Sequence, residues 1–81
     1  MSDPTTSTVS IPREVAAHVL WSERQGGYPA GSFTTKLLEL WAFADYSNAA
    51  RLEAAWPEYG AALRMLGEPG GVEKLRAVAG A

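Results

Sequence analysis

Apolar and polar positions along the chain recur with a helical period. From Pro12 to about Gln25, the residues Val15, Ala16, Val19 and Leu20 fall within an arc of about 140° at 100° per residue, which predicts an amphipathic helix with one buried stripe. Trp21 leaves that stripe and projects about 170° from its centre, beside Glu14 and Gln25. Pro12 suits the first turn, where its missing N–H loses nothing, with Ser10 as a cap before it. Gly26 and Gly27 allow a left-handed exit.

The glycine-rich stretch Gly26 to Ser32 reads as a turn, with Ser32 placed to accept the free N–H groups of a second helix over Phe33 to Ala44. There Phe33, Leu37, Leu38, Leu40, Trp41, Ala42, Phe43 and Ala44 cover most of the circumference, leaving Thr35, Lys36 and Glu39 as a polar strip. A helix apolar on so many sides is either central in the bundle or buried by a partner on its second face, so this segment is expected to organise the fold. Asp45 caps a third helix with Asn48 three residues on, and Ala49, Leu52, Ala55 and Trp56 make its inner side. Pro57 ends that helix and starts a fourth, with Glu58 in its first turn and Tyr59, Ala62, Leu63 and Leu66 on one face up to Gly67. After Glu68-Pro69-Gly70-Gly71 comes a short helix over Val72 to Ala79, with Val72, Leu75, Val78 and Ala79 inward; its length and terminal place predict fraying.

Five of the eleven Val, Ile and Thr residues lie between Thr5 and Ile11, so strand formers are thin in the body. The fold class expected is all-α: a compact bundle of four to five short helices over residues 11–81, with residues 1–10 as a disordered arm of Ser, Thr, Asp and Pro. At 81 residues there is room for one core, and 14 of the apolar residues are Ala, so the aromatic side chains must supply a large share of the buried area.

The net charge of −2 argues against a general nucleic-acid binder, which needs clustered cations to displace counterions. The absence of Cys removes disulfides, thiolate metal sites and thiol nucleophiles together. The first residues lack a basic stretch followed by an apolar run, and no window approaches the roughly 18 apolar residues of a membrane span, so a soluble, cytoplasmic protein is expected.

Candidate chemistry is sparse. His18 stands four residues before Ser22, a spacing that suggests a base beside a nucleophile, but a working pair also needs an orienting acid and an oxyanion pocket, and a boundary histidine is the better account. Gly26 and Gly31 have the spacing of a phosphate loop, yet Ser32 stands where that loop requires Lys and no strand precedes it. Asp45, Glu53 and Glu58 read as caps and solvated charges rather than a metal cluster. A helix-turn-helix reading of the second and third helices founders on Arg51 being the only cation of the third. No catalytic, metal or cofactor site is therefore expected, and the chain reads as a non-enzyme.

The aromatic residues are the best functional lead. Trp21 lies off its helix's stripe, and Leu38, Ala42 and Phe43 lie off the centre of the second helix's stripe, so these four are the candidate protein-binding surface. The competing reading has the bundle wrap the second helix fully and fold a loop around Tyr28 over Trp21.

The segments Pro29-Ala-Gly-Ser-Phe-Thr34, Ala44-Asp45, Asn48, Arg51-Leu52 and Pro57-Glu58-Tyr59, all within residues 28–62, resemble a pattern in small uncharacterised proteins of actinobacteriophages. The Ala-rich, Gly-rich, Arg-over-Lys composition is similar to that of high-GC actinobacterial genomes and their phages. The resemblance implies a source and a setting, the infected host's cytoplasm, and no reaction or site residue. The function expected is stoichiometric binding of a protein, itself or a host factor, by a phage accessory protein. The alternatives are a structural or assembly part of a virion and, more weakly, a DNA-binding regulator.

Overall fold

A computed structural model describes residues 10–80; of the arm expected over residues 1–10, all but Ser10 lies outside the described residues. All regular structure among the described residues is helical: α1 (Arg13–Ser22), α2 (Ser32–Phe43), α3 (Tyr46–Ala55), α4 (Pro57–Leu66) and α5 (Gly71–Ala79).

The caps follow local chemistry, with two departures from expectation. Asp45 accepts the Asn48 backbone N–H at 2.8 Å, satisfying an otherwise free donor of α3. Pro57 is the first residue of α4, and Trp56 before it leaves helical geometry at φ −131° and ψ 72°, in line with the clash by which a proline ring disfavours that geometry in the residue before it. At α1, however, Pro12 itself is the N-cap, extended at ψ 150°, and its carbonyl accepts the Ala16 N–H; Ser10 is too far back to cap. At α2, Ser32 is already helical and Gly31 is the N-cap, so the serine hydroxyl has no capping bond.

The end of α1 also comes earlier than the glycines suggest. Gln25 N–H donates to the Leu20 carbonyl and Arg24 N–H to that of Trp21, the two bonds of a Schellman motif. Arg24 takes the left-handed position at φ 58°, where glycine is usual. Gly27, at φ 73°, is required for a second reason: a Cβ there would run into the Ala17 carbonyl, so the loop crosses the helix at backbone contact. Gly71 does the same at the other end, where a Cβ would collide with the Met65 and Leu66 carbonyls at the α4–α5 corner.

The core is an α1–α4–α5 layer. Val15, Ala16, Val19 and Leu20 of α1 meet Ala62 of α4 and Leu75 of α5, with Leu38 the contribution of α2. Leu20, Val19 and Leu75 are fully buried, and each large aliphatic side chain taken out of water contributes about 1.5–3 kcal/mol. This overturns one expectation and answers a question that the sequence leaves open. The organising helix is α1, not α2: Ala16 and Ala17 are both buried, and such small side chains let neighbours approach closely on two sides. And α5 docks, making its most extensive contact with α1, while the Arg76 guanidinium donates twice to the Gln25 carbonyl (3.0 and 3.1 Å) and ties α5 to the loop after α1.

Helices α2 and α3 form an outer layer. Helix α3 packs on α4, fastened by a two-pronged Arg64–Glu53 pair at 2.7 Å for each bond, and the backbone of α2 runs close to α1 and α3, with Leu38 reaching into the core. No residue of α3 is fully buried: of the inner side expected, Ala49 and Leu52 are half-buried, Ala55 is exposed, and Trp56, half-buried, lies just past the helix end. In α2 only Leu37 and Leu38 are buried.

Candidate functional site

The outer layer leaves a gap. Between the C-terminal half of α1, the loop that follows it and one side of α2 lies an open cleft of about 910 Å³, at the upper end of the range of ligand pockets. On α1 its lining is His18, Trp21 and Ser22, which share a face at i, i+3 and i+4. On α2 it is Thr35, Leu38, Glu39 and Ala42, at i, i+3, i+4 and i+7, with Trp41 beside them. Leu63 of α4 contributes from below, and Glu23, Arg24 and Gly26 come from the loop.

Of the four residues singled out from the sequence, the structure brings three together. Trp21 is half exposed at 51% and stands in the cleft wall, so neither the core nor Tyr28 covers it. Leu38 is buried and Ala42 exposed, and both line the cleft. Phe43 is 89% exposed and outside the cleft, because one residue's step turns it about 100° from Ala42 around the helix. Sequence reasoning missed Trp41, Thr35 and Glu39. The regular spacing of Thr35, Leu38, Glu39 and Ala42 was available as a signal, but it mixes polar with apolar types and so does not stand out as a stripe.

The polar groups of the cleft carry both signs. Glu23 and Arg24 lie at the α1 exit and Glu39 on α2, where it also approaches Lys36 at 3.7 Å in solvent. The left-handed backbone at Arg24 places this cation in the lining although glycine would suit the conformation better.

His18 and Ser22 do not form the pair their spacing suggested. The Ser22 hydroxyl donates to the Val19 carbonyl at 2.7 Å. His18 Nδ1 lies 2.7 Å from the Tyr59 hydroxyl of α4, which donates to it when Nδ1 is unprotonated. The Tyr59 ring stacks parallel to the imidazole at 6.2 Å and Tyr28 meets it edge-on at 5.4 Å. Burial pushes the Tyr59 phenol above the ordinary tyrosine value, the Thr34 hydroxyl opposes this, and the negative charge of Glu14 adds to the rise. The histidine is thus a boundary residue clasped by two tyrosines, joining α1, α4 and the loop.

Of the three carboxylates weighed as a metal cluster, Asp45 caps α3 and Glu53 holds Arg64; among the described residues no three His, Asp or Glu side chains gather. The hydrogen bond from Arg64 holds the Glu53 carboxyl below its usual range, against a smaller opposing effect of burial. Among the described residues no helix is long and apolar enough to cross a membrane. No protein-family model, curated protein or solved structure matches the chain.

Proposed function

We propose that this chain is a small non-enzymatic protein-binding module, a phage accessory protein acting in the host cytoplasm, and that the α1–α2 cleft seats an amphipathic segment of another protein. The observation that carries the reading is the cleft itself: two indoles, Trp21 and Trp41, and the aliphatic floor of Leu38 and Leu63 line a cavity of about 910 Å³ that no other part of the chain fills among the described residues. Tryptophan in a partly desolvated pocket is the residue most often found to dominate association energies. Glu23, Arg24 and Glu39 at its margin suit a segment with apolar side chains on one face and charges of both signs along its edges.

The test uses the full chain as bait for proteins of an actinobacterial lysate, beside Trp21→Ala, Ala42→Glu and, as a surface control, Arg51→Ala. The expected result is a discrete partner, identified by mass spectrometry, held by the native chain and by Arg51→Ala and lost from the other two, whose melting stays close to native because both positions are exposed. Retention by Ala42→Glu, or a loss of several kcal/mol of stability in Trp21→Ala, would remove the cleft from consideration.

A further inference from the structure

The same helix has a second face that no other described residue covers. Phe33, Lys36, Leu40 and Phe43 recur at i, i+3, i+7 and i+10, a single stripe on the side of α2 turned away from α1. Phe43 is 89% exposed, Phe33 67% and Leu40 57%, with Phe33 resting only one edge on Trp56 at 6.0 Å. Two aromatic rings and a leucine in a row on a solvent-facing helix are a contiguous apolar patch of the kind that marks contacts.

We propose that this stripe pairs with the same stripe of a second copy of the chain, the two α2 helices running antiparallel about a two-fold axis near residue 38. Charge decides the occupant and the direction. A two-fold axis lying across the helices sets residue i against the partner's residue near 76 − i, so Phe33 of each copy meets the partner's Phe43, and Lys36 of each comes beside the partner's Glu39. A parallel pair would instead set Lys36 against Lys36 at the contact, which is repulsive, and would leave the two Glu39 side chains on opposite flanks. Within one chain Lys36 and Glu39 are already only 3.7 Å apart, so pairing makes a four-charge cluster of alternating sign beside the apolar contact.

Area sets the strength. Taking about 150–250 Å² for a fully buried aromatic side chain, the exposed parts of Phe33, Leu40, Phe43 and the Lys36 stem offer about 500 Å² per copy. Two copies then bury about 1,000 Å², the lower end for a specific interface. The dimer is accordingly a weak one, with a Kd on the order of micromolar or above.

Sedimentation equilibrium of the full chain from about 5 to about 500 µM, a range suited to such a Kd, tests this. The native chain passes from its 8.7 kDa monomer to twice that mass. Phe43→Asp stays monomeric throughout with unchanged circular dichroism and melting. Lys36→Glu and Glu39→Lys each weaken association at least ten-fold, and mixing the two restores it, because each then offers the other the opposite charge at both contacts. Trp21→Ala dimerises as the native chain does, which separates this face from the cleft. A native chain that remains monomeric at the highest concentration, a dimer that survives Phe43→Asp, a mixture that fails to associate, or assemblies larger than two copies would each overturn the proposal.

Discussion

His18 is held across 41 residues of sequence by Tyr59, a bond that ties α1 to α4 at the edge of the core. Because burial raises the Tyr59 pKa, the folded state favours the neutral phenol. Its contribution to stability is fully present below the ordinary tyrosine value of about 10 and is lost as pH rises through the elevated folded value. Urea unfolding at neutral and increasingly alkaline pH should therefore show a decline part of which is absent in Tyr59→Phe. At neutral pH that variant should lose about 1 kcal/mol, the usual share of one hydrogen bond whose partner is left without it. An alkaline slope identical in the two proteins would mean that the phenol is solvated in the folded state. Glu53 has the opposite sign: with its pKa lowered by Arg64, its contribution is present above the ordinary carboxylate range and fades as pH falls through the folded value.

Among the helices, burial follows position in the bundle more than hydrophobic content. Leu75 sits in the short last helix and is fully buried, whereas Leu40 sits in the helix richest in large apolar residues and is 57% exposed. Leu75→Ala should cost about 2–5 kcal/mol. Leu40→Ala, measured at concentrations too low for association, should stay within about 0.5 kcal/mol of native. Thermal or urea melts of the two variants compare identical chemistry at opposite burial, and equal losses would place α2 inside the core. The stripe of α1, the Asp45 cap, the Pro57 break and the inward sets of α4 and α5 were all legible in the sequence, since each depends on residues within a turn or two of one another. The centre of the bundle was not. A circumference covered with Phe, Leu and Trp suggests a central helix, but on α2 those residues divide into a face on the bundle, with Leu37, Leu38 and Trp41, and a bare face with Phe33, Leu40 and Phe43. What qualifies α1 is the small size of Ala16 and Ala17, which matters only when neighbours are placed against them. The cleft was half legible for the same reason: Trp21, Leu38 and Ala42 were found as misfits of their own stripes, but their meeting depends on how α1 and α2 pack.

At the scale of the whole molecule, the two layers have different standing. The α1–α4–α5 layer carries the fully buried side chains Leu20, Val19 and Leu75, while α2 rests on it through Leu37 and Leu38 alone among its buried residues and α3 through half-buried contacts and the Arg64–Glu53 ion pair. Small single domains of this size sit near the lower end of the usual stability range, about 5 kcal/mol, so an outer layer with few buried contacts should open well before the whole chain unfolds. Native-state hydrogen exchange should accordingly show amides of α1, α4 and α5 exchanging only through global unfolding, and those of α2 through a lower-energy opening that exposes Leu37 and Leu38 while leaving Leu75 protected. Both proposed contacts act on that opening, because a partner in the cleft and a second copy on the outer stripe each bind α2 in its docked position. A ligand at 100 times its Kd that binds only the docked form adds about 2.7 kcal/mol to the opening free energy. Raising the protein concentration through the dimer's Kd should therefore slow exchange in α2 before it affects α5, and Phe43→Asp should abolish the concentration dependence without changing the order of protection. Uniform slowing of all five helices would instead mean that the layers open together and that α2 is an integral part of one cooperative unit.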